Sequence, residues 1–135
     1  MSGAVLQAVQ QALYSKLTGD SLLMDLVNGI YDAVPQQAVL PYIVIGDGSA
    51  DLIPQPQTPT NQCQMTLNVW TNGNGRKLAL SILNRLNALL HHGSLNFTGF
   101  TLLSMSCSRA ETHVDVDQQR IYGVLELSIV VREDD

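Results

Sequence analysis

Charge is what this sequence has least of. Asp, Glu, Lys and Arg together make up 14% of the residues, against about 25% in an average soluble domain. Side-chain amides fill the gap: 11 Gln and 8 Asn match the 19 charged residues in number. A surface of amides and hydroxyls stays hydrated, but charge does little to keep such molecules apart, so part of this surface is expected to touch other protein. The charges present sum to −5, and only Arg76 and Lys77 are adjacent cations. Without a basic stripe, a protein that grips nucleic acid by neutralising phosphates is excluded. Contact with DNA as passing cargo is not.

Other absences narrow the class further. Cys63 and Cys107 fit no metal or redox spacing, and both lie in alternating apolar patterns that suit buried thiols. No apolar run approaches the ~20 residues that span a bilayer. The opening Met-Ser-Gly-Ala-Val-Leu-Gln lacks the basic and apolar parts of a signal peptide, so synthesis in the cytoplasm without membrane insertion is expected. No P-loop spacing or nucleophile motif occurs: Asn72-Gly73-Asn74-Gly75-Arg76-Lys77 lacks the Lys-Ser/Thr pair. His91 and His92 are adjacent on a helix end, pointing about 100° apart, which suits the C-terminal dipole rather than chelation. His113, Asp115 and Asp117 alternate and could hold a weak divalent ion, yet a charged turn accounts for them better. No catalytic residue, cofactor or metal is therefore assigned.

What remains fits one domain over residues 1–135, with 45% hydrophobic residues and enough length to bury a core. Leu6, Val9, Leu13 and Leu17 recur at helical spacing, predicting a helix over 3–17. Gly19 ends it, and Asp20 or Ser21 caps a short second turn through Leu22, Leu23, Leu26 and Val27. Residues 30–36 read as a short extended piece, and 40–46 as a β-branched strand covered on both faces. Three prolines (Pro54, Pro56, Pro59) make 47–62 an extended loop, and Leu52 and Ile53 at its start are expected to dock on something. From 63 to 71 apolar and polar residues alternate, with Trp70 on the polar side. Asn74 is a candidate cap for a leucine-striped helix over 76–91.

The strand pattern returns at 101–112, with Leu103, Met105 and Cys107 facing inward. It returns again at 119–132, where Ile121, Gly123, Leu125, Leu127, Ile129 and Val131 face in and Tyr122, Glu126, Ser128 and Arg132 face out. His113 to Gln118 is read as the turn between these strands, and 133–135 as a solvated tail. The fold class is α+β, in the order α-β-β-α-β-β. Two amphipathic helices cover one face of a four-stranded, mainly antiparallel sheet, leaving the Trp70–Tyr122 face for contact.

Three stretches carry a resemblance. They are Leu17-Thr18-Gly19-Asp20, then Gly29 to Gln36 with Val34-Pro35, and then Leu40 to Gly46 with Pro41-Tyr42. Together with Gln64 to Trp70 and Tyr122-Gly123-Val124-Leu125-Glu126-Leu127, they make the chain similar to the tail-completion family of long-tailed bacteriophages, prophages and gene-transfer particles. The likeness runs over about residues 6–131 and consists of packing and turn motifs. It implies a tail-terminator-like fold and a ring, usually six-fold, at the head-proximal end of the tail tube within the virion. That ring stops tube growth and joins the tail to the head. Implied partners are further copies of the chain, the tail tube protein and a head–tail connector protein. Leu52, Ile53, Pro54 and Pro56 on the arm, with Trp70 and Tyr122 on the sheet, are the candidate contacts. A connector adaptor or stopper, and a ligand-binding or enzymatic α+β domain with a pocket under 47–62, are the competing expectations.

Overall fold

The computed structural model describes residues 2–54, 57–73, 75–117 and 119–134, with side chains from residue 4 onward. Helix α1 spans Ser2–Thr18, a single turn α2 spans Ser21–Met24, and α3 spans Lys77–Leu90. Five strands follow the order β1 (Ile30–Tyr31), β2 (Tyr42–Ile53), β3 (Thr60–Asn72), β4 (Phe100–Asp115) and β5 (Arg120–Glu133). They form one sheet arranged β1-β2-β3-β5-β4, antiparallel except for the β1–β2 pair. Among the described residues no helix is long and apolar enough to cross a membrane.

Both long helices lie on one face of the sheet, as the leucine stripes require. α1 packs over β1, β2 and β3, and α3 over β3, β4 and β5. Val9, Leu13 and Leu17 of α1 join Ile82, Leu86 and Leu90 of α3 in one buried cluster. From below, Cys63, Met65, Leu67 and Val69 of β3 and Leu125, Leu127 and Ile129 of β5 close it. Each fully buried Leu or Ile contributes roughly 1.5–3 kcal/mol by leaving water. Gly123 is the small residue in that inward row: an added Cβ would stand 2.9 Å from Leu83 Cδ1, so its absence lets α3 sit low on the sheet.

The structure corrects five sequence expectations. The sheet has five strands rather than four, because the piece at residue 30 is anchored. Ile30 is buried, and Ile43 N donates to Gly29 O at 3.0 Å. The segment 47–62 is mostly strand rather than loop. β2 continues to Ile53, and β3 starts at Thr60, because the prolines occupy only the tip and both flanks find backbone partners across the hairpin. Asn74, expected as a cap, lies outside the described residues. The N-cap of α3 is Arg76, without a side-chain cap bond.

The fourth correction concerns β4. A bulge between Leu102 and Ser104 adds a residue and reverses the alternation. Leu102 therefore packs against the core, and Leu103, expected inward, is 48% exposed. β4 also runs to Asp115 and β5 starts at Arg120, so His113 and Asp115 belong to a strand rather than to a turn. Fifth, the terminal tail is tied down: Glu133 ends β5 with its N–H on Pro59 O, and Asp134 N donates to Gly99 O.

Candidate functional site

The sheet face away from the helices carries the outward residues of β3 and β5. Gln62 and Gln64 both donate to Ser128 Oγ, at 3.1 and 3.5 Å. Their strand-mates Thr66, Asn68 and Trp70 are half-buried. Register then does something no local pattern shows. His113, Tyr122, Trp70 and Tyr42 occupy one line across β4, β5, β3 and β2. The rings of His113 and Tyr122 stack at 5.0 Å, and those of Tyr122 and Trp70 at 4.8 Å. At the far side Tyr42 meets Tyr31 of β1 edge-on at 5.6 Å. An aromatic row thus crosses all five strands. Such stacks add roughly 0.5–1.5 kcal/mol per pair beyond area burial and present flat, rigid rings of the kind favoured at protein contacts.

Beside this row lies a small charged group. Arg109 Nη2 donates to Glu111 Oε2 at 2.9 Å, and His113 Nε2 stands 3.3 Å from Glu111 Oε1. The Arg109 hydrogen bond, helped by His113, holds the Glu111 carboxyl below its ordinary range. These groups are solvent-facing, so the pairs fix orientation more than they stabilise.

The arm projects from the opposite end of the strands. Leu52 pairs with Asn61 and Ile53 with Thr60. Leu52 is 65% exposed and Pro54 is exposed; Pro56 lies outside the described residues. Thr60 and Trp70 are ten residues apart on one strand, about 33 Å. The structure therefore brings Trp70 and Tyr122 into contact and keeps the arm residues Leu52, Ile53 and Pro54 well away from them. The other three members of the row went unassigned in the sequence, since cross-strand register leaves no local signal. At the arm's base a cavity of about 340 Å³ is lined by Ile53, Thr60, Leu103, Val130 and Arg132.

At the far end, beyond the aromatic row, the β3–α3 and β4–β5 turns meet. Gly73 makes this possible: any Cβ there would overlap the Gln119 carbonyl oxygen. The two turns frame a groove of about 830 Å³ lined by Leu40, Gly73, Gly75, Val114, Val116 and Arg120, among others.

Elsewhere the polar chemistry is structural. Arg85 forks onto Asp20, Nε to Oδ2 at 2.9 Å and Nη2 to Oδ1 at 2.6 Å, while Asp20 Oδ2 also accepts from Leu23 N. One carboxylate thereby caps α2 and ties it to α3. The Arg85 hydrogen bond, with lesser help from Leu23 N, holds its carboxyl below the usual carboxylate range. His91 Nδ1 accepts from Cys107 N, and the His91 ring packs on that of His92. Burial, with nearby Asp51, pushes the Cys63 thiol up to about 11, as expected of an inert core thiol. Among the described residues no three His, Cys, Asp or Glu side chains converge to hold a metal.

Comparison with known proteins gives these features a context. The family described as "Tail completion protein gp17" matches residues 11–132. The tail completion protein gp17 of Bacillus phage SPP1 is 26% identical over 125 residues, covering 93% of this chain and 92% of its own. The solved structure of SPP1 gp17 superposes with a TM-score of 0.63, over 96% of this chain and 90% of that one. A chain from the virion of a native gene transfer agent particle superposes more closely. Its TM-score is 0.87 over 96% and 98% of the two chains, at 22% identity, so that likeness speaks for the fold.

Proposed function

The chain belongs to the tail completion protein gp17 family, and from that membership we propose that it is a single-domain ring subunit of a phage-type tail. The ring, six-fold by the family resemblance, sits at the head-proximal end of the tail tube. It stops addition of tube subunits and joins the tail to the head, so its partners are its own copies, the tail tube protein and the head–tail connector protein. The observation that carries this reading is the separation of two contact features on one chain. An aromatic row lies on an uncovered sheet face, and an apolar-tipped arm lies about 33 Å away along the same strands. Two different surfaces on one subunit are what a closed ring requires, because each copy offers one and receives on the other. The candidate contacts Leu52, Ile53, Pro54, Trp70 and Tyr122 fall on these two features. A net charge of −5 lets DNA pass such a ring without being held.

The test is assembly of tails in which this chain is absent, wild type, or carries Trp70→Ala with Tyr122→Ala. Tubes formed without the chain are expected to overgrow and to fail to join heads. The wild-type chain restores both, and the double variant restores neither. Tubes of normal length that join heads in the chain's absence would sink the proposal.

A further inference from the structure

We propose that the turn formed by His91 and His92 is a proton-released clamp on the free edge of β4. The device belongs to the single chain and does not depend on the ring reading.

β4 is an edge strand, paired with β5 on one side only. Alternate residues of such a strand turn their N–H and C=O groups away from the sheet, where a further strand can take them up. Met105 and Cys107 do so, and both are already engaged. His92 N donates to Met105 O at 2.9 Å, and Cys107 N donates to His91 Nδ1 at 3.1 Å. The end of α3 therefore supplies a donor and an acceptor of the kind a neighbouring strand would bring. β4 is bulged between Leu102 and Ser104 and again between Cys107 and Arg109, so residues 104–107 are the regular stretch between the two irregularities. The clamp sits on that stretch. His92 reaches it with φ at 58°, in the left-handed region that a non-glycine residue holds only where its contacts secure it.

Half of this clamp is sensitive to protons. A neutral imidazole has one N–H and one bare nitrogen, whereas imidazolium has an N–H on both. His91 Nδ1 accepts from Cys107 N only while it is bare. A second proton replaces that acceptor with an N–H facing the Cys107 N–H. The charge also arises against the His92 ring, whose centroid lies 4.1 Å away. Among the described residues no ion pair reaches either ring, and neither α3 nor residues 91–99 contain Asp or Glu. The titratable groups around the pair are the Cys107 thiol on β4 and the Lys16 ammonium of α1, which donates to Ser94 O at 2.7 Å. Arg109 and Glu111, farther along β4, are engaged with each other, with Glu126 and with His113. The carbonyl end of α3 still favours a cation there; what the added proton removes is the clamp. Imidazoles change charge between pH 5 and 8. At the upper end of that range the regular stretch is closed, and at the lower end Cys107 N is released and the stretch stands open to a further strand.

The experiment follows the Cys107 amide of the nitrogen-15-labelled full-length chain by NMR hydrogen exchange from pH 8 to pH 5, beside the titration of the His91 ring. Each exchange rate is divided by its intrinsic value at that pH. Protection of Cys107 should fall about tenfold, the weight of one hydrogen bond, with the midpoint of the His91 titration, while the core amides of Leu67 and Val69 keep theirs. His91→Phe retains a ring without a nitrogen and should show the low protection at both pH values. Constant protection while the ring titrates, a ring that takes up no proton down to pH 5, or a fall shared by the core amides would each overturn the proposal. A folded His91→Phe chain as protected at pH 8 as the wild type would overturn it too, and the wild-type titration decides the matter even if that variant does not fold.

Discussion

The two faces of β3 carry opposite chemistries on the same backbone. Leu67 and Val69 face the helices and are fully buried, while Asn68 and Trp70 between and beside them face away, with no helix laid over them. The inner face is complete within one chain: Cys63, Met65, Leu67 and Val69 join one buried cluster with residues of α1, α3 and β5. The outer face has an ordered aromatic row and two amides on the Ser128 hydroxyl, and in the ring we propose a partner completes its burial. Inner residues therefore govern whether the chain folds, and outer residues are those the proposed ring would use. A face can be well ordered and still unfinished.

Truncation on the inner face should have the largest effect on folding. Leu67→Ala removes a fully buried side chain at the centre of β3 and should cost about 3 kcal/mol, read as a lower urea midpoint. An unchanged midpoint would mean that the core repacks freely, and the contrast between faces would weaken. Trp70→Ala removes a half-buried ring and its stack on Tyr122; it should cost about 1 kcal/mol of folding stability while abolishing assembly. A Trp70 variant as unstable as Leu67→Ala would place the aromatic row with the core instead.

Asp20→Ala tests a polar contact on the helix layer, away from both faces, and should be smallest. Losing the cap of α2 costs about 1 kcal/mol, with no effect on assembly. Because the folded state holds this carboxyl below its ordinary value of 3.8, the wild-type advantage is present above about pH 4. It should shrink as the pH falls through the folded value. Urea titrations of both proteins at pH 7 and pH 3 check this, and equal differences at the two pH values would contradict it.

Much of the inner face was legible in the sequence because burial imposes a period. The helices over 3–17 and 76–91, and the alternation at 63–71 and 119–132, all stand in the structure within a few residues. The parts that were not legible lack that constraint. Residues 48–51 are Gly, Ser, Ala and Asp; they form strand through backbone pairing with β3, and no apolar alternation announces it. The bulge at Leu102–Ser104 shifts parity by one residue, which composition cannot reveal. Of the candidate site, parity placed Trp70 and Tyr122 outward correctly. Their alignment with His113 and Tyr42, and the fork from Arg85 to Asp20 across 65 residues, depend on register and packing between distant segments.

The irregular course of β4 has a consequence for the free subunit. β4 is an edge strand of 16 residues, and a straight edge of that length is a template on which a second chain adds hydrogen bond by hydrogen bond. Bulges at Leu102–Ser104 and Cys107–Arg109 break the even spacing of donors and acceptors and twist the margin locally. A copy waiting for its docking place thus presents a frayed seam, on which cross-β fibres cannot readily zip.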